Sequence, residues 1–108
     1  MKLKDLMSLE RLLLEIDVKY KFELPFKDAL KLYDYLKEVG KITNYFFFIQ
    51  DEFHKKYNDI DKLKEYHDKL MKDDIEFDCK EITEFIENIL NTYGDEEFQN
   101  LVNTVKFW

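Results

Sequence analysis

A chain of 108 residues that is 45% hydrophobic and 17% aromatic holds enough apolar surface for one cored domain and is too apolar for a disordered chain. Two glycines and one proline are too few turn residues for a sandwich or barrel, so the composition points to long helices. A net charge of −7 and a single cysteine argue against direct nucleic-acid binding and an intramolecular disulfide, and favour a cytoplasmic setting.

The N-terminal stretch MKLKDLMSLERLLLEID places charges inside its apolar pattern and lacks a small-residue cleavage site, so it does not read as a signal peptide. No apolar run approaches the ~18 residues that span a bilayer, so no membrane contact is expected. Leu3, Leu6, Met7, Leu9, Leu13, Leu14 and Ile16 recur at helical spacing and predict a first helix. Over residues 18–24, Val18, Tyr20, Phe22 and Leu24 alternate with Lys19, Lys21 and Glu23, which predicts a half-buried strand. A helical or extended link is the other reading of that segment.

Pro25 suits the first turn of a long helix that meets no strong stop before Tyr57. Gly40, followed by Ile42 and Thr43, is where that helix is expected to kink or break. The turn NDID, residues 58–61, caps a further helix to about Lys72, carrying Ile60, Leu63, His67, Leu70 and Met71. The short link predicts an antiparallel hairpin. Ile75, Phe77 and Cys79 alternate with acids, so residues 74–79 form a second strand candidate that could pair with 18–24. Ile82, Phe85, Ile86, Ile89 and Leu90 mark the next helix, Gly94 ends it, and Asp95 caps a last helix with Phe98, Leu101, Val102 and Val105. The expected fold is one mainly α domain, residues 1–108: an antiparallel helical hairpin with packed N- and C-terminal helices and at most a small two-stranded element.

The long helix contains four consecutive rings, Tyr45 to Phe48. Stepping ~100° per residue places Tyr45 and Phe46 on the apolar stripe with Val39, Ile49 and Phe53, and Phe47 at its edge beside Leu36. Phe48 falls away from the stripe, among Asp51, Glu52 and Lys55. It is expected to lie under a terminal helix, to anchor an interface with another chain, or to stand exposed.

Charge is unevenly spread. Residues 73–100 hold ten acids and one lysine, a net −9, which leaves +2 on the rest. Glu81, Glu84 and Glu87 recur every third residue on the outer side of a helix. Such a face can dock on a basic surface or imitate a phosphate backbone; the alternative is a solvated face that keeps the protein soluble. His54, His67 and Cys79 lack the spacing of a metal motif, no phosphate loop or carboxylate dyad is present, and neither cofactor nor metal is expected.

The segment ELPFKDALKLYDYLKEVGKITNYFFFIQDEFHKKY, residues 23–57, with DIEF and KEI following in 74–105, resembles small tailed-phage proteins of unknown function. In those, a Leu-Pro opens a long helix that ends near a Y…DE(F/L)…KKY segment, followed by a second helix, a short acidic stretch and a final helical segment. VKYKFEL is more strand-like than that pattern. The resemblance implies a bacteriophage or prophage setting and no activity. The sequence therefore leads to a non-enzymatic protein that binds another protein. One form is a host-takeover or anti-defence inhibitor of nuclease or CRISPR type, with Phe48, Asp51, Glu52, Glu81, Glu84 and Glu87 as partner-binding residues. The other is a virion accessory or assembly chaperone that oligomerises through its long helix.

Overall fold

The computed structural model describes residues 1–108. It contains five α-helices: α1 (Leu3–Tyr20), α2 (Phe26–Tyr57), α3 (Ile60–Lys72), α4 (Lys80–Tyr93) and α5 (Glu96–Val105), with a 3-10 turn at Lys21–Glu23. Helix α1 is the hub. Its spacing buries Leu3, Leu6, Leu9, Leu12, Leu13, Ile16 and Tyr20, and it packs against all four other helices. Around it close Leu32, Val39 and Phe46 from α2, Ile82, Phe85, Ile86 and Ile89 from α4, and Phe98 and Val102 from α5.

Both ends of α1 are tied. At its start, the Leu3 N–H donates to the Asp73 carbonyl (3.1 Å) and the Ile75 N–H to the Met1 carbonyl (2.8 Å). At its end, the Tyr20 ring meets Phe98 edge-on at 5.5 Å, and its hydroxyl accepts the Asp95 N–H at 3.1 Å. The Lys19 ammonium lies 3.7 Å from Asp95 and 3.3 Å from Glu97, so the last turn of α1 holds the first turn of α5. Asp95 also caps α5, accepting the Phe98 N–H at 2.7 Å.

The two-stranded element does not form. Residues 18–20 are the last turn of α1 and 21–23 the 3-10 turn; 75–79 are irregular, and Asp74 makes only an isolated antiparallel bridge to Lys2. Tyr20 and Leu24 face the core, whereas Val18 and Phe22 face out. Side chains four apart share a side on a helical path as well as on a strand, so alternation over so short a stretch suits both. The helix reaches further than the N-terminal spacing indicated because α5 supplies a cover for Tyr20.

Helix α2 is unbroken. Gly40 sits inside it with open space where a Cβ would stand. At ~1.5 Å per residue its 32 residues span ~48 Å, the full 47 Å length of the molecule. The Cα radius of gyration, 15.7 Å, exceeds the ~13 Å expected of a compact chain of this size. The excess is the α2–α3 hairpin, which extends past α1 as a two-helix arm. Asn58, in the left-handed conformation at φ 45°, ends α2, and the Asp59 carboxylate caps α3 by accepting the Asp61 and Lys62 N–H groups. Phe53 stacks on Tyr66 in the arm, with ring centroids 4.3 Å apart.

The four rings divide differently from the helical-wheel expectation. Phe46 is 3% exposed, while Tyr45, Phe47 and Phe48 all stand out in solvent. The buried line of α2 is the narrow one of Leu32, Val39, Thr43 and Phe46, because α1 on one side and α3 and α4 on the other leave room for a single row. The Thr43 hydroxyl donates to Glu10 at 2.7 Å, which satisfies both groups at the α1–α2 seam. Neither terminal segment covers Phe48, which is 58% exposed with its ring tilted against Tyr45 at 6.4 Å.

Two expectations follow for stability in urea. Phe46→Ala should cost about 3–5 kcal/mol through the cavity it leaves, and Phe48→Ala less than about 0.5 kcal/mol. Gly40→Ala should stabilise by about 0.5–1 kcal/mol, since a helix interior gains from the added Cβ and nothing obstructs it; a loss of stability would contradict a continuous α2.

Candidate functional site

Helix α4 turns Ile82, Phe85, Ile86 and Ile89 into the core, which leaves Glu81 and Glu84 outward on the side nearest α2. Asp78 sits just before its first turn and accepts the Lys80 N–H at 3.0 Å. Across from them α2 brings Tyr35, whose ring meets Phe85 edge-on at 5.4 Å. Between the helices runs a groove of about 420 Å³ with Tyr35, Phe85, Ile89 and Tyr93 on its apolar side and Asp28, Glu81 and Glu84, with one lysine, Lys31, on its polar side. A second depression, sharing Glu81 and Glu84, continues it past Glu38, Asp78 and Lys80.

None of Asp28, Glu38, Asp78, Glu81 and Glu84 has an ion-pair partner. Three of them, Glu38, Glu81 and Glu84, act on the Tyr35 hydroxyl. Burial pushes its pKa up from the ordinary 10.0, and Glu81, Glu38, Asp34 and Glu84 push it further the same way. The arrangement is a strip of free carboxylates beside aromatic faces, suited to lysine or arginine side chains with apolar stems.

The six candidate residues do not form one site. Glu81 and Glu84 line the groove. Glu87, three residues after Glu84, does not line the groove and is engaged by its own chain: Lys106 approaches it at 2.9 Å and the Trp108 indole N–H donates to it at 2.8 Å. Those two hydrogen bonds, from Lys106 first and then Trp108, hold its carboxyl below the usual glutamate range. Glu87 is thus a latch for the C-terminal tail. Phe48, Asp51 and Glu52 lie on the outer side of α2, where Asp51 pairs with Lys55 at 2.9 Å. From Glu38 to Glu52 along the helix is ~21 Å, so they sit well away from the groove.

His67 packs its ring on Phe46 and places Nδ1 2.7 Å from the Gln50 side-chain oxygen. His54 Nδ1 is buried without a partner, and Cys79 is a free thiol at the start of α4. No three His, Cys, Asp or Glu side chains converge closely enough to hold a metal ion. No helix is long and apolar enough to cross a membrane. Neither a family model, nor a curated protein, nor a solved structure matches the chain.

The sequence reading missed a second surface, the apolar run Leu14, Val18, Phe22, Phe26, Leu30 and Tyr33, all exposed around the α1–α2 elbow. The signal was present as a spacing of four carried through the turn, but the strand reading of 18–24 concealed it.

The Glu87 latch has a pH signature. Its lowered folded-state pKa means that the stabilisation is complete above the ordinary value of 4.5 and is lost as pH falls through the lower folded value. Emission from Trp108, the only tryptophan, should therefore stay constant down to about pH 5 and shift to the red only below the ordinary glutamate range. Glu87→Ala should give the red-shifted emission at neutral pH with the helical circular dichroism retained.

Proposed function

We propose that this is a non-enzymatic, phage-type protein that acts in the bacterial cytoplasm by covering a basic surface of another protein, in the manner of a host-takeover or anti-defence inhibitor. The observation that carries this reading is the α2–α4 groove: Glu38, Asp78, Glu81 and Glu84 are unpaired carboxylates along an aromatic wall. A basic nucleic-acid channel on a nuclease or CRISPR-type effector has the complementary chemistry. Regularly spaced carboxylates can take the place of phosphates there, and the acidic field would raise the rate of encounter. Residues 73–100 carry a net −9, and of their acids Asp78, Glu81 and Glu84 line the groove and its continuation. The resemblance of residues 23–57 to small tailed-phage proteins supports the setting. A second reading, a virion accessory or assembly chaperone, draws its support from the exposed Tyr45, Phe47 and Phe48 on the long helix.

The test is displacement. A host protein captured on the immobilised chain should be released by added duplex DNA or RNA. It should also be lost at about 0.3 M salt, where charge steering is screened over a few ångströms. Glu81→Lys with Glu84→Lys should abolish capture, since both side chains face outward and the fold should be retained. Retention of the same partner by that double variant, in high salt and excess nucleic acid, would overturn the reading.

A further inference from the structure

The α1–α2 elbow carries six of the twelve large hydrophobic side chains that stand exposed on the molecule. Val18 is 79% exposed, Phe22 94% and Phe26 82%, with Leu14, Leu30 and Tyr33 each about half exposed. These residues flank one seam. The Thr43–Glu10 hydrogen bond fixes the antiparallel register of α1 and α2, and equal rise along both helices then brings Val18 level with about residue 35. Stepping around α1 from Glu10, Leu14 and Val18 come next on the side away from the core. Around α2 from Thr43, Tyr33 and Phe26 come next on its side away from the core. Phe22, in the 3-10 turn, joins the two runs at the end of the molecule.

We infer that this elbow is a self-association face, on which a second copy of the chain docks in a two-fold, isologous contact. Area is the first argument. An aromatic side chain carries roughly 150–250 Å², so three rings and three aliphatic side chains at these exposures present roughly 700 Å² per copy. That exceeds the roughly 300–600 Å² of the largest apolar patch on an ordinary monomer and approaches the roughly 800 Å² per partner of a stable interface.

Charge is the second argument. Charged residues of both signs flank the run: Arg11 and Glu15 on α1, Lys21 paired with Asp17 at 3.4 Å, Glu23 and Lys27 about the turn, and Asp34 and Lys37 on α2. A rim of mixed sign can be matched by its own copy turned through a half-rotation, whereas a strongly basic or acidic partner would meet repulsion somewhere along it. The inference is independent of the acidic groove, because Tyr35, which faces α4, and Leu30 lie on well-separated sides of α2.

The experiment is sedimentation equilibrium of the full chain from about 0.01 to about 200 μM, a wide range because interfaces of one area differ widely in affinity. The mass should rise from 13.3 kDa towards twice that value. Phe22→Asp with Phe26→Asp should weaken association by about 100-fold or more, through a charge buried at the centre of the contact. Its circular dichroism and melting temperature at low concentration should match the parent, since both rings are in solvent there. Phe48→Asp, on the far half of α2, and Glu81→Lys with Glu84→Lys, in the groove, should dimerise like the parent. A mass of 13.3 kDa across the range would overturn the inference. So would a dimer that survives Phe22→Asp with Phe26→Asp, or one that Phe48→Asp dissolves. Binding to phosphatidylglycerol vesicles that needs Phe22 and Phe26, by a chain that stays monomeric, would overturn it in favour of a lipid surface.

Discussion

Leu6, Leu9, Leu12, Leu13 and Ile16 expose no surface at all, a condition that one helix meets only when others surround it. That burial of α1 is what the rest of the molecule is arranged to achieve. α2 is joined to it by a short elbow and covers one flank, α4 and α5 arrive from the other end of the chain to cover the rest, and the Met1–Leu3 segment is stitched to residues 73–75. The covering pieces are distant in sequence, so the core closes only when residues as far apart as Tyr20 and Phe98 have met. Cooperative folding as one unit follows from that geometry, with loop-closure entropy spent before the central helix is shielded.

Because α1 already occupies the middle, α2 has only one row of side chains to contribute. This accounts for its many exposed rings, and it also explains why the molecule has two chemically distinct surfaces. On the side of α2 that meets α4, Tyr35 and Phe85 form a wall beneath free carboxylates. On the side turned away from the core, Phe26, Leu30 and Tyr33 continue the apolar run of α1. The first surface is rich in carboxylates; the second is apolar with a rim of mixed sign. Occupation of one leaves the other open, so a paired molecule would present two acidic grooves at once.

Most of the helical framework was legible in the sequence, because its punctuation is strong. Asp59 and Asp95 are placed to cap, Asn58 accepts the left-handed turn, and a side chain at Gly94 would run into the Leu90 carbonyl. The mistaken strand at 18–24 came from a four-residue spacing that serves helix and strand alike. A helical wheel ranks residues by direction but cannot say how many neighbours a helix will have, so it gave Tyr45 and Phe47 a cover that no element supplies. At the candidate site, Glu81 and Glu84 were readable from the charge run. The diversion of Glu87 was not, since it depends on Lys106 and Trp108 folding back across 19 and 21 residues.

The α2–α3 arm has a consequence for motion. Beyond Phe46 no side chain of α2 is fully buried, and α3 buries none, so the arm is held by half-covered contacts such as Phe53 on Tyr66 and His67 on Phe46. Its backbone hydrogen bonds near the Asn58 turn, away from the tie between Asp73 and Leu3, can open at least cost to the hub. Amide protons along α2 should therefore exchange in a gradient, slow from Leu32 to Phe46 and progressively faster towards Tyr57. A single uninterrupted helix thus joins the most rigid part of the protein to its most yielding one, as a spring leaf is clamped at one end and free at the other.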